Sequence, residues 1–505
     1  MRRNIAVVVA FLVFGFGFGF GAAHGLESSR AEPTFELMGR SGKALAIPGR
    51  AVLLKAVLPP GRCFRYRWEL GDGSEPVEGL VTTAHGLSTP HLYPEAARPG
   101  AVYEASLTVT DARSSESSRA RARVTFVEPT LENKTAVALD DALWALHASM
   151  RRFDDPVGGP VGCWEPDSYP VANTALAALA FEVNGFDSRA SRHDTPYRVT
   201  VDRALGFLLS RCVSFPLGKG QGTGITVENR YRENYELPLV VLALVASQDP
   251  EAVATTGPKG VLGRSYREIV SDIIRFLAWG QCANRGHYRG GWRYEAGSSD
   301  ADMSCTQWPV LACMAARGLW GIETPPSIAA SLEAGFLAHD QGPDGCFGYI
   351  HDQFQPSVGL TSAGLLGLEF VGAGAEDPRV RRALDYLAMH WTEQNVGDYY
   401  SMYAVMKAAT LAEPPIARIG GHDWREEYTL ALAATQNVDG TWPGDGRWGT
   451  GVRATAWPAL VLSKDVFATA RPMTLWERIP LGVRLGAIPA LLLGSFVVRF
   501  FRRHR

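Results

Sequence analysis

The feature that most constrains this chain is a recurrence. Between Thr135 and Asp465, alanine- and leucine-rich segments alternate with turns in which glycine precedes an aromatic residue: Gly162-Cys163-Trp164, Gly290-Gly291-Trp292, Gly345-Cys346-Phe347 and Gly440-Thr441-Trp442. Their spacing fits a unit of about 48 to 64 residues, with two copies lacking the aromatic turn, which makes about six units. Each unit supplies two helical stretches. The first stretches carry Leu143-Trp144-Ala145-Leu146, Phe207-Leu208-Leu209, Phe276-Leu277, Phe336-Leu337, Tyr386-Leu387 and Leu430-Ala431-Leu432. The second run from Asn173 to Phe181, Leu237 to Val245, Thr306 to Ala315, Thr361 to Phe370, Met402 to Ala409 and Thr455 to Leu462. These second stretches are apolar nearly all round, so they are expected to be buried on both sides. Inner helices ringed by outer ones make an (α/α)6 toroid, expected over 135–468, where strand patterns vanish. A superhelical solenoid would want less uniformly apolar inner helices and polar caps at both ends.

Upstream the period changes from helical to two. Ala51 to Val57, Phe64 to Leu70, Tyr103 to Val109 and Ala122 to Phe126 are short apolar alternations separated by Gly, Pro and Ser clusters, which predicts a β-sandwich over 33–128. Residues 112–121 read as a solvated hairpin tip, and Glu128 to Lys134 as a linker. The fold class expected is therefore multidomain β plus α, with hydrophobic segments at both chain ends. Residues 1–25 have the basic start, apolar stretch and small-residue end of a signal peptide or N-terminal anchor, and 479–505 a hydrophobic anchor with a basic tail. Those ends predict an exported protein, membrane-anchored in the periplasm or at the cell surface, with the C-terminal segment meeting the membrane.

Charge and cysteine usage remove other classes. Fifty Lys and Arg against 52 Asp and Glu leave a formal charge of -2, without the basic footprint of a nucleic-acid binder. Seven cysteines with no C-x-x-C pair argue against a disulfide framework and a four-cysteine zinc site. No metal and no cofactor are expected.

Three blocks of the first unit, Trp68-Glu69-Leu70-Gly71-Asp72-Gly73-Ser74, His91-Leu92-Tyr93 and Gly100 to Asp111, resemble in order the polycystic kidney disease (PKD) repeat, an Ig-like sandwich. The resemblance implies a spacer or adhesion module, with protein or glycan contacts and no catalysis. Trp68 and Leu70 would point inward while Gly71-Asp72-Gly73 makes the turn, and Asp72 reads more simply as an Asx-turn former than as a calcium ligand.

The turns of the second unit resemble the QW repeat of squalene cyclases. Ala334 to Phe347 and Leu432 to Trp442 carry Gln, Gly and an aromatic at the repeat's offsets, and Phe276 to Gln281 followed by Gly291-Trp292 is a third copy with an insertion. This implies a terpenoid-cyclase and prenyltransferase-type toroid. Gln and an aromatic at a helix–helix turn also suffice as a packing and capping device, so the copies alone carry no catalysis.

In such a toroid the first turns of the inner helices point into a central cavity. They bring Tyr169 and Asn173, Glu233 with Tyr235 and Glu236, Asp300 with Asp302, Gln355 with Thr361, Asp398 with Tyr399, Tyr400 and Tyr403, and Arg447 with Arg453. The expected ligand-binding set is Tyr169, Tyr235, Glu236, Trp308, Tyr399, Tyr400, Tyr403 and Arg453. Gly290 to Tyr294 leading to Asp300-Ala301-Asp302-Met303-Ser304 resembles the squalene–hopene cyclase stretch in which Gly-Gly-Trp precedes D-x-D-D-T. That resemblance makes Asp302 the catalytic proton donor to an alkene, with Asp300 beside it. Met303 stands in place of the third carboxylate, and this argues against turnover, because so strong an acid needs neighbours that stabilise the carboxylate left behind. A plain helix N-cap at Asp302 accounts for the same run.

Two further resemblances are incomplete. Asp344-Gly345-Cys346 is similar to the zinc-binding D-x-C of protein prenyltransferases, but Ser401 stands where the histidine ligand belongs. Gly162-Cys163-Trp164-Glu165-Pro166 superficially resembles the thioester of complement-type toroids, with Pro166 at the glutamine position. The leading expectation is thus a membrane-tethered surface protein whose squalene-cyclase-like toroid binds an apolar or isoprenoid-type ligand. The alternatives are a divergent triterpene cyclase using Asp302, and a carbohydrate-active (α/α)6 enzyme drawing an acid/base pair from Glu233, Glu236, Asp300 and Asp302.

Overall fold

The structure, a computed structural model, describes residues 36–37 and 43–467, apart from 83–85, 95–96, 157, 166–167, 187–195, 219, 352 and 464–465. It is a mixed β and helical chain, strands first and helices after. The expected terminal segments, 1–25 and 479–505, lie outside the described residues. Among the described residues no helix is long and apolar enough to cross a membrane.

The β unit comprises β1 (Glu36–Leu37), β2 (Lys43–Ala46), β3 (Val52–Val57), β4 (Cys63–Glu69), β5 (Val77–Thr82), β6 (Leu87–His91), β7 (Val102–Asp111) and β8 (Ser117–Phe126). One sheet has the order β1-β3-β6 and the other β2-β8-β7-β4-β5. Alternation in β4 buries Phe64 and Trp68 and exposes Arg65 and Arg67, and the buried pair joins Leu54, Leu107, Val124 and Phe126 in one core between the sheets. Asp72 accepts the Ser74 amide at 3.0 Å, an Asx turn, and also meets His91 at 2.8 Å. The expected hairpin tip is shorter than 112–121: residues from Ser117 already pair with β7, their Ser/Arg alternation belonging to a solvent-facing strand rather than a loop.

The helices are α1 (Leu131–Ser149), α2 (Pro170–Glu182), α3 (Pro196–Ser210), α4 (Glu233–Ala246), α5 (Tyr266–Trp279), α6 (Met303–Trp320), α7 (Pro326–Leu332), α8 (Val358–Phe370), α9 (Pro378–Met389), α10 (Tyr399–Leu411), α11 (Trp424–Thr435) and α12 (Arg453–Ser463). Helix α7 continues through a π-helical turn, Glu333–Leu337, to Ala338–Asp340. The even-numbered helices pack α2 on α4, α4 on α6, α6 on α8, α8 on α10, α10 on α12 and α12 back on α2, which closes a ring. The odd-numbered ones lie outside it, and nearly every residue of α4 and α8 is buried, as their unbroken apolar runs require.

Two hairpins interrupt the helical pattern, β9 (Arg151–Asp155) with β10 (Gly159–Cys163), and β11 (Cys212–Pro216) with β12 (Thr223–Val227). Each joins an outer to an inner helix. Strands were not expected here, although Val213, Phe215, Ile225 and Val227 do alternate; runs of five residues are too short to stand out between long helices.

The glycine–aromatic turns share one construction. Backbone amides of Trp164, Trp292 and Phe347 donate to Thr174, Thr306 and Thr361 in the inner helix that follows, at 3.3, 3.0 and 3.1 Å. The indoles of Trp164, Trp292 and Trp442 donate to Leu146, Leu277 and Leu432 carbonyls of the outer helix that precedes. The amides of Gln281, Gln341 and Gln436 bridge from their own turn to Ile328, Arg379 and Ala138 of the next outer helix. Gln436 thereby ties the last turn to the first helix. Gly290 has φ 83° and Gly440 φ 87°, and a side chain at either would strike the backbone of that next helix.

The β unit rests on α1. Lys55, 4% exposed, reaches Asp140 at 2.6 Å and Asp141 at 2.8 Å, Arg50 reaches Asp141 at 3.0 Å, and Trp144 packs against Gly86. Burial works against the charge of Lys55, but the two carboxylates outweigh it and raise its pKa.

Candidate functional site

The start of α6 is an electrostatic lock. Asp302 caps the helix and has no exposed surface. Its Oδ1 accepts the Cys305 amide at 2.7 Å and the Ser304 hydroxyl at 2.6 Å, while Oδ2 pairs with Arg293 at 2.5 Å. Arg293 also donates to the Tyr349 hydroxyl at 3.0 Å and lies 3.5 Å from the partly exposed Asp300. Burial disfavours the Arg293 charge, yet Asp302 and Tyr349 more than compensate and hold its pKa above the usual value. Protonating Asp302 would break this pair and strand a guanidinium, the opposite of what an alkene-protonating acid requires. The structure gives Asp302 the partners of a helix cap and an ion pair, with both carboxylate oxygens engaged.

The start of α4 is different. Glu233 is spent structurally, accepting Thr226 at 2.6 Å and the Ala296 amide at 2.8 Å. Glu236, one turn on, is 2% exposed and belongs to no ion pair among the described residues. Burial pushes its carboxyl up to about 7, with Arg232 drawing it part of the way back. Asn234 connects the two starts: its amide donates to the Tyr294 carbonyl at 3.1 Å, and its side chain to the Arg293 carbonyl at 3.0 Å.

Tyr169, Tyr235, Glu236 and Arg453 come together. Arg232 lies 3.7 Å over the Tyr169 ring and Arg453 5.4 Å from it, and Tyr235 senses both Arg453 and Glu236. Tyr235 meets Trp308 edge-on at 5.6 Å, Trp308 stacks near Tyr403 at 6.3 Å, and Tyr400 accepts the Gln307 amide at 2.6 Å. Tyr399 stands apart, its hydroxyl on the Pro443 carbonyl at 3.0 Å and its amide on Asp445. Asp398 caps α10, and burial raises its carboxyl.

Two buried charges escaped the sequence reading. Lys407 on α10 donates to Gln307 at 2.6 Å, and its Nζ sits 4.1 Å from the Trp308 ring and 4.8 Å from that of Tyr403. Burial pulls its amine down to about 7. Asp340, just before the turn residue Gln341, is pushed up to about 8 by burial, with Asp302 adding to the shift, and neither of its carboxylate oxygens has a partner among the described residues. A lysine inside the apolar run Met402 to Ala409 was a visible signal for the first; nothing local marks the second. Among the described residues no cluster of three or more His, Cys, Asp or Glu could hold a metal.

No family model matches the chain, and no curated protein matches it. Solved structures similar to it include a family 76 glycoside hydrolase from a bovine Bacteroides thetaiotaomicron strain, at TM-score 0.44 and 12% identity over 86% of this chain and 98% of that one. A Salmonella alpha-2-macroglobulin variant has TM-score 0.32 and 11% identity over 86% of this chain and 27% of that one. Trypsin-activated alpha-2-macroglobulin from Escherichia coli has TM-score 0.30 and 12% identity over 86% of this chain and 28% of that one. The chain thus spans about a quarter of the two macroglobulins. These matches support neither a squalene cyclase, a prenyltransferase nor a PKD domain, and the expected kinship is corrected accordingly. With it goes the expectation of a squalene-cyclase-like toroid holding an apolar or isoprenoid-type ligand, while the membrane tether was read from 1–25 and 479–505, which lie outside the described residues.

Proposed function

We propose that the chain is a carbohydrate-active enzyme, an (α/α)6 toroid with a β-sandwich docked on its first helix, and that Glu236 is its general acid. The observation that carries this is the state of Glu236: in no ion pair among the described residues, at the start of an inner helix, and raised by burial to about 7, where a carboxyl can deliver a proton near neutral pH. The closed ring of inner helices supports the toroid, and the two-sheet core supports the sandwich. Tyr169 and Tyr235 supply hydroxyl groups near Glu236, suited to the hydroxyls of sugar rings.

The test is release of reducing ends from a panel of plant and microbial polysaccharides by the full chain. Glu236→Gln should lower turnover by about 10²-fold or more with melting unchanged, and wild-type activity should fall as pH rises through 7. Turnover that survives Glu236→Gln would rule out the assignment.

A further inference from the structure

We infer that Arg232 and Arg453 form a binding site for an anionic substituent, so that the glycan handled beside Glu236 is an acidic one, bearing carboxylate or sulfate groups. The inference rests on the glycan reading above and narrows it to a substrate class. Both guanidiniums converge on one tyrosine ring, at 3.7 and 5.4 Å, and neither joins an ion pair among the described residues. Arg453 donates from Nη2 to the Thr450 hydroxyl at 3.3 Å, but its Nε is buried without an acceptor. One turn along the same helix face, the Trp457 indole N–H, on a side chain 1% exposed, is likewise buried without an acceptor. Donors are thus in excess, and what the site lacks is negative charge.

The carboxylates nearby do not supply it. Glu165 is committed, with one oxygen on the Val452 amide at 2.7 Å and the other on the Asn173 side chain at 2.8 Å. Those two bonds also fix the start of α12 to the Tyr169 loop, which holds the arginines in place. Asp302 is taken by Arg293. Glu236, the acid of the proposed reaction, favours its neutral form up to about pH 7 and so does little to discharge Arg232. A guanidinium stacked on a ring keeps its planar edge of N–H donors free, the geometry that grips a carboxylate or sulfate through two parallel bonds.

Calorimetric titration of the full chain with tetragalacturonate, a sulfated carrageenan tetrasaccharide and neutral cellotetraose tests this, and the first two separate carboxylate from sulfate. One charged tetrasaccharide should bind at least about tenfold tighter than the neutral one. The double variant Arg232→Gln/Arg453→Gln should lose that preference. Arg453→Lys, which keeps the charge but not the fork, should lose part of it, and each variant is checked by melting. Equal binding of neutral and charged sugars, unchanged in Arg453→Lys and in the double variant, overturns the anionic site and leaves the glycan reading standing. Failure of all three to bind overturns both.

Discussion

Two neighbouring inner helices begin with a carboxylate in the first turn or just before it, and the protein treats the two in opposite ways. At α6, Asp302 accepts an amide, a hydroxyl and a guanidinium. At α4, Glu236 is nearly as deeply buried but joins no ion pair among the described residues, and burial, partly offset by Arg232, raises its carboxyl. The difference teaches that sequence context finds carboxylates while partners decide their chemistry. The residue that resembled an enzyme's acid is held as a structural strut, and the acid we propose is the one without a motif around it.

The sharpest break of this contrast is Asp302→Ala. It removes the cap and leaves the partly buried Arg293 with only the exposed Asp300 as counter-ion, so thermal or urea unfolding should show a loss of about 3 kcal/mol. Asp302→Asn keeps the cap but not the ion pair and should still cost about 2 kcal/mol. An Asn variant as stable as wild type would make Asp302 a cap and nothing more.

Glu236→Gln should act in the other direction, and only above acid pH. Its folded-state pKa stands above the ordinary 4.5, so between about pH 4.5 and 7 the folded chain keeps a proton that the unfolded chain releases. Stability therefore falls across that window and levels off above it. The glutamine variant escapes the fall: near pH 8 it should be more stable than wild type by about 2 kcal/mol, and near pH 4 indistinguishable. A pH-independent difference would mean that Glu236 is not held protonated.

Lys407 gives the mirror image. Its amine is lowered from 10.5 to about 7, so between those values the unfolded chain holds a proton that the folded chain lacks, and stability rises with pH. Below 7 the full penalty applies. Lys407→Met removes the charge but also the bond to Gln307, so a gain of about 1 kcal/mol is expected near pH 6, shrinking towards pH 10. Loss of stability at every pH would show that the amine matters to the core as a donor first.

Much of the helical layout was legible, because uninterrupted apolar runs such as Leu237 to Val245 suit only a helix surrounded on all sides, and because Gln341 and Gln436 stand at one offset from their turns, with Gln281 in a longer copy. What could not be read was set by contacts across the ring. Nothing in the eight positions between Arg293 and Asp302 says that their side chains meet. Likewise the rise at Glu236 comes from desolvation by the surrounding fold. Residues 117–121 were misread for a different reason: a strand with one wet face has the composition of a loop.

The smallest expected effect completes the contrast on the α6 side. Asp300 is 3.5 Å from Arg293, but its side chain is 38% exposed, whereas Asp302 is fully buried at 2.5 Å from the same guanidinium. Water screens the outer pair, and holding it costs side-chain entropy, so Asp300→Asn should change stability by no more than about 0.5 kcal/mol. The double variant Asp300→Asn/Asp302→Asn then separates two pictures by unfolding. If Asp302 alone holds Arg293, the losses add. If the two carboxylates share it, with the outer one stepping in when the inner is removed, the double variant loses more than the sum, by about 1 kcal/mol. The difference in burial predicts additivity, because an exposed carboxylate offers the guanidinium little more than water does.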